Sequence, residues 1–200
     1  MKKTRITNFA AVLMLTILPL MSFANGFPFV KLTKQENKNL TLRIAAIKSE
    51  TIRITLKDDL GYMLFSEQVT DKNEVLKRFD LANLNAGNYK IEVENEMNVK
   101  VLPIKVTRTD IEIVETDFAV LYKPYIKMNE GGVFDFNLLN LDTEKTTVLI
   151  LDDKGRVVFK DYLGAQSEYK KRYDISQLEK GNYSVIVNKG NRSFEKPIAH

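Results

Sequence analysis

The sequence predicts an all-β chain: two tandem β-sandwiches behind a signal peptide. Three observations lead there. Residues 38–106 and 132–200 are two copies of one segment at a constant offset of 94, so that Gly61 pairs with Gly155, Gly87 with Gly181, Tyr89 with Tyr183 and Pro103 with Pro197. Apolar and polar residues alternate with period two rather than at helical spacing. Turn signals recur about every 8–12 residues, the rhythm of a sandwich or barrel. A period of 94 is far beyond the roughly 20–50 residues of a solenoid unit, so the repeat is a duplicated domain. The expected organisation is a signal peptide over residues 1–24, copy one over 25–110 and copy two over 111–200, with the boundary near 107–119.

The leader comes first. Lys2, Lys3 and Arg5 form a basic start, and the apolar stretch from Phe9 to Leu20 is broken only by Thr16 and Pro19. Ser22-Phe23-Ala24 then offers small residues, with cleavage expected after Ala24. At about 12–15 residues the run falls short of the ~20 that span a bilayer. The expectation is an exported chain without a membrane span after cleavage. Without the leader, 30 Lys+Arg against 26 Asp+Glu becomes 27 against 26. The mature chain is close to neutral, and it shows no basic stripe of the kind a nucleic-acid binder carries. Cysteine is absent, which excludes disulfides, thiolate nucleophiles, thiolate metal sites and a lipidated N-terminal cysteine. The fold must be held by burial, and roughly 85–90 residues per copy suffice for a modest core.

In copy two the alternation predicts strands at 120–127, 132–139, 146–152, 156–163, 168–174, 181–188 and 192–198. Copy one has their counterparts 94 residues earlier, with 27–34 as its first strand. Asp58-Asp59-x-Gly61 and Asp152-Asp153-x-Gly155 join the third strand to the fourth: Asp bonds within its own turn and Gly takes a positive φ. A calcium loop needs 6–8 oxygens, which two adjacent aspartates do not supply, so a plain turn is expected and no metal site.

Leu84-x-x-Gly87-Asn88-Tyr89 and Leu178-x-x-Gly181-Asn182-Tyr183 have the form of a tyrosine corner, in which a Tyr near the start of the sixth strand sends its hydroxyl to backbone a few residues upstream. A buried Tyr needs such a partner, so Tyr89 and Tyr183 read as structural. The corner fixes the strand labels: 146–152 is strand C, 181–188 is F and 192–198 is G.

A family resemblance emerges at this point. Val148, Ile150, Gly155, Val157, Val158, Phe159, Asp174, Leu178, Gly181, Tyr183, Val185 and Val187 follow one another as in the C-terminal sorting domain of type IX secretion cargo. The similarity covers roughly residues 146–198, and the family is an immunoglobulin-like sandwich of the Bacteroidota. The resemblance implies a secreted cargo whose last domain is its export signal.

Catalytic chemistry finds no foothold. The single histidine, His200, is the last residue and is expected to be disordered. Without Cys or an internal His, Ser-His and Cys-His nucleophiles and the common zinc sites are excluded. Gly131-Gly132 precedes a strand, not a helix, and reads as a turn rather than a phosphate loop. No enzyme activity and no cofactor are expected. Sugar stacking has no Trp to use; Tyr62, Tyr122, Tyr125, Tyr162 and Tyr169 leave carbohydrate binding open, although Tyr is equally at home in cross-strand packing.

One difference between the copies points to a contact surface. The outward positions of strands C and F are Thr55, Lys57 and Glu92 in copy one and Leu149, Leu151 and Ile186 in copy two. These three should form one apolar patch, to be covered either by a protein partner or within the chain by copy one, by the 107–119 connector or by the segment Phe118–Tyr125. The reading is an exported, non-enzymatic tandem sandwich that acts as a binding or scaffold module at the cell envelope or outside the cell. The alternatives are a small secretion cargo with a type IX sorting domain at its C-terminus, or a carbohydrate-binding protein.

Overall fold

Period-two burial runs through the central strands of the computed structural model, which describes residues 29–45, 51–70 and 72–200. The leader expected at 1–24 lies outside the described residues. In the first sandwich, β1 (Phe29–Lys34), β2 (Asn39–Ala45) and β5 (Glu74–Asp80) form one sheet in the order β1-β2-β5. Facing it are β3 (Thr51–Asp58), β4 (Met63–Thr70), β6 (Gly87–Glu94), β7 (Asn98–Val106) and β8 (Ile111–Ile113), ordered β4-β3-β6-β7-β8, with β9 (Ala119–Tyr122) also on β7. The second sandwich repeats the plan. Strands β10 (Tyr125–Met128), β11 (Val133–Leu139) and β14 (Glu168–Asp174) make the order β10-β11-β14. Strands β12 (Thr146–Leu151), β13 (Val157–Gly164), β15 (Asn182–Lys189) and β16 (Arg192–Ala199) make β13-β12-β15-β16. Among the described residues the single helical element is a 3-10 turn at Glu115–Asp117. The described residues are all-β and form two immunoglobulin-like sandwiches.

Each sandwich closes on its own core. Leu40, Leu42 and Ile44 of β2 pack with Ile52, Ile54, Ile91 and Val93 of the opposite sheet. In the second, Phe134, Phe136 and Leu138 pack with Val148, Ile150, Val185 and Val187, the equivalents of Ile54, Leu56, Ile91 and Val93. Each such side chain contributes roughly 1.5–3 kcal/mol relative to exposure, enough in sum to hold a disulfide-free domain. The repeat extends to irregularities. Both third strands carry a register shift at their ends, between Leu56 and Lys57 and between Ile150 and Leu151. Gly61 at φ 87° and Gly155 at φ 75° close the following turns, and Asp58 and Asp152 accept backbone N–H groups there, from Tyr62 at 2.8 Å and from Lys154 and Arg156 at 3.0 and 2.8 Å.

The structure corrects four expectations. The strand expected at 120–127 is two strands: β9 pairs with β7 of the first sandwich through Val99↔Leu121 and Val101↔Ala119, whereas β10 pairs with β11 of the second. Pro124, between them, has no N–H to continue a ladder. The connector 107–119 is not free either, because β8 pairs with β7 through Ile104↔Ile113 and Val106↔Ile111. Sheet pairing therefore assigns residues 111–122 to the first sandwich, and the division at 110/111 moves to Lys123-Pro124. Third, Thr55 and Glu92, expected on an outward polar face, are each 4% exposed. Last, His200 is tethered: its N–H donates to the Gly181 carbonyl at 2.9 Å and its carbonyl accepts from Gly181 at 3.2 Å.

Candidate functional site

The junction between the sandwiches is the most elaborated polar region. Strand β6 carries Glu92 opposite Thr55 of β3 and Val101 of β7. Three strands thus present Thr55, Glu92 and Val101 side by side on the face away from the first core, and all three are buried. The Glu92 carboxylate accepts a hydrogen bond from Lys57 Nζ at 2.8 Å, and it also receives the Arg192 guanidinium from the start of β16. Burial alone would push the Glu92 carboxyl up; the hydrogen bonds from Arg192 and Lys57 outweigh it and hold the group below its ordinary value. A second tie follows, Lys123 Nζ to Glu94 Oε1 at 2.6 Å, and it fixes the peptide that leads into Pro124. Between the two sandwiches lies a cleft of about 590 Å³ with Glu94, Lys123, Pro124, Tyr125, Phe194 and Lys196 on its walls.

Leu149, Leu151 and Ile186 occupy the corresponding outer face of the second sandwich. Burial alternates along β12 and β15, with Val148, Ile150, Val185 and Val187 inward and these three half-buried on the opposite side. Leu149 stands directly across from Ile186, and Leu151 from Ser184. The connector does not reach this face as a strand, since β8 and β9 are both committed to β7. Flanking it, the exposed edge strand β13 shows Val157, Val158 and Tyr162, the last 71% exposed with Lys160 Nζ 4.5 Å from its ring centre.

The corner geometry is present in both copies. Tyr89 donates its hydroxyl to the Asn85 carbonyl at 2.9 Å, and Tyr183 to the Glu179 carbonyl at 2.6 Å. Both rings are buried. The five tyrosines considered for sugar stacking lie on different elements: Tyr169 is buried on β14, Tyr162 stands on β13, Tyr125 on β10, Tyr122 on β9 and Tyr62 in the turn before β4.

A seam that sequence reasoning missed also repeats. In the first sandwich Phe65 meets Phe79 edge-on at 5.5 Å, with Lys77 Nζ 4.4 Å from the Phe65 ring centre and 2.5 Å from Glu67. In the second, Phe159 meets Tyr173 at 5.8 Å, and Asp161 Oδ2 accepts from both Lys171 at 2.7 Å and the Tyr173 hydroxyl at 2.9 Å. Burial and the hydrogen bond to Asp161 push the Tyr173 phenol well up. These groups join edge strands of opposite sheets, β4 to β5 and β13 to β14, so they close one side of each sandwich. The signal was available in the shared Lys77-Arg78 and Lys171-Arg172 pairs.

Compared with known proteins, residues 132–199 match the family model described as "Secretion system C-terminal sorting domain". The match begins at Gly132 and ends at Ala199, so it takes in β11 through β16. No curated protein matches the sequence. Among solved structures, the two-domain fibronectin type-III segment of chicken tenascin is similar at 10% identity over 88% of this chain and 100% of its own, with a TM-score of 0.32. The FN1–FN3 domains of chicken CNTN1 match at 11% identity over 88% of this chain and 67% of theirs, TM-score 0.30. The BSP domain of a biofilm-associated protein matches at 14% identity and TM-score 0.29, over 87% of this chain, which spans only 29% of that one.

Proposed function

We propose that the chain is an exported, non-enzymatic cargo whose second sandwich is the sorting domain read by a type IX secretion machinery and whose first sandwich is the binding or scaffold module that it delivers. The observation that carries this reading is the family match at residues 132–199, which coincides with six consecutive strands of one sandwich and includes its corner. Three features support a division of labour. The cores are separate, so the second sandwich can act as a unit. The first sandwich keeps β8 and β9 on its own sheet, so it stays complete up to Tyr122. The two are nevertheless tied by Arg192 on Glu92, as suits a folded pair that travels together.

The test is truncation after Lys123 in a host that has this secretion route. The full chain is expected at the cell surface or in the medium, and the truncated chain in the periplasm. Equal distribution of both chains would overturn the sorting role and leave a periplasmic or envelope scaffold. Limited proteolysis of the truncated chain keeps the two outcomes readable, because a misfolded first sandwich would be degraded rather than retained.

A further inference from the structure

We propose that the outer face of the second sandwich is the contact through which two copies of this chain associate, face to face about a two-fold axis. This goes beyond the sorting role and does not depend on it. Leu149 pairs with Lys160 on one side and Ile186 on the other, and Ile186 pairs with Glu195. One row across four strands therefore reads Lys160, Leu149, Ile186, Glu195, all on the face away from the core. Neighbouring strands are about 4.8 Å apart, so the two charges stand at the ends of the row with the apolar pair between them.

Such a row is complementary to itself. A two-fold axis that runs parallel to the strands, between Leu149 and Ile186, reverses the row in the second copy. Leu149 then meets Ile186, and Lys160 meets Glu195, twice over. The next row obeys the same operation: Thr147 pairs with Asn188 within the sheet, and across the axis each meets the other, hydroxyl to amide. An isologous contact requires this self-complementarity, and matched charges at its rim set its register. Aligned sheet-on-sheet packing is an ordinary way to bury two such faces, at about 10 Å separation.

Continuity with the chain's own junction points the same way. The equivalent row of the first sandwich contains Thr55, Glu92 and Val101, buried, with Arg192 of the second sandwich on Glu92. That face is already a docking surface in this molecule. In the second sandwich the carboxylate is replaced by Ile186 and the hydroxyl by Leu149, which suits an apolar rather than an ionic occupant. Four strands make a small face by the standard of stable complexes, so the association is concentration-dependent.

Sedimentation equilibrium of the exported chain over its soluble concentration range tests this. A reversible monomer–dimer equilibrium is expected. Leu149→Lys should shift it to monomer. Lys160→Glu and Glu195→Lys should each raise the dissociation constant roughly tenfold or more by placing like charges together, and the double reversal should restore it. Both charges are exposed, so these variants are expected to fold; circular dichroism checks that. A chain monomeric at every concentration, a dimer indifferent to Leu149→Lys, or a double reversal that fails to restore association would each overturn the proposal.

Discussion

Arg192 of the second sandwich lays its guanidinium on the carboxylate of Glu92 in the first, although the two are 100 positions apart in the chain. Only 5% of the Glu92 side chain is exposed, and its other partner is Lys57 at 2.8 Å. A buried carboxylate is costly unless it is paired and hydrogen-bonded, so the position of the second sandwich decides whether Glu92 is comfortable where it is. The junction is thus coupled to the packing of the first sandwich.

An asymmetry between two substitutions follows. Arg192→Ala strands a buried charge with one partner and should cost about 1.5–3 kcal/mol. Glu92→Ile, which installs the residue found at the equivalent position 186, removes the buried charge and leaves Arg192 and Lys57, each about a quarter exposed and able to turn to water, so it should cost less than a stranded buried carboxylate. Urea titrations of both variants check the order.

The same carboxylate predicts an acid-sensitive junction. Its pKa is lowered from 4.5 in the folded chain, with burial opposed by hydrogen bonds from Arg192 and Lys57. A depressed folded pKa contributes stability above the unfolded value, and that stability is lost as pH falls through the folded value. The tie should persist at neutral pH and fade below about 4.5. Glu92→Gln should flatten this part of the pH–stability curve while leaving the acid sensitivity of other carboxylates in place.

Tyr89→Phe and Tyr183→Phe keep each ring and remove its hydroxyl, leaving the carbonyls of Asn85 and Glu179 without that donor. Each should lose roughly 1–3 kcal/mol in a denaturant titration. No loss in either variant would mean that the corner does not stabilise the crossing.

At Gly132 the backbone sits at φ 75°, and an added Cβ would fall 2.6 Å from the His200 ring and 3.0 Å from the Ser176 Cα. Gly132→Ala should destabilise by about 1 kcal/mol or more, from the positive φ together with the clash. His200→Ala as well, which removes the ring and keeps both backbone bonds to Gly181, should recover part of the loss. The equivalent residue in the first sandwich is Lys38, at φ 58°, whose ammonium donates to the carbonyls of Ala82 and Leu84 at 3.2 and 3.0 Å. Those bonds occupy a left-handed residue that glycine fills in the second copy.

Much of this architecture was legible because a duplicated sequence checks itself. Gly61 and Gly155, the register shifts beside them and both corners fall at equivalent places in the fold. What was not legible depends on pairing across sequence distance. Ile111-Glu112-Ile113 and Ala119–Tyr122 alternate like strands, but nothing local says that both add to β7. A polar Thr55 and Glu92 read as solvent-facing, because period-two patterning assumes that polar means exposed. Arg192 comes from far away in the chain and reverses that assumption. For the apolar face, by contrast, Leu149, Leu151 and Ile186 could be placed together from alternation alone, because strands C and F are neighbours.

An export address in the second sandwich should work on its own. The most direct measurement moves residues 123–200 onto a carrier protein that otherwise stays in the periplasm, in a host with the type IX route, and compares carrier in the medium and at the surface with carrier in the periplasm. The fusion is expected to leave the periplasm, and to stay there when the secretion machinery is disabled. A folded fusion retained in the periplasm of the competent host would contradict it.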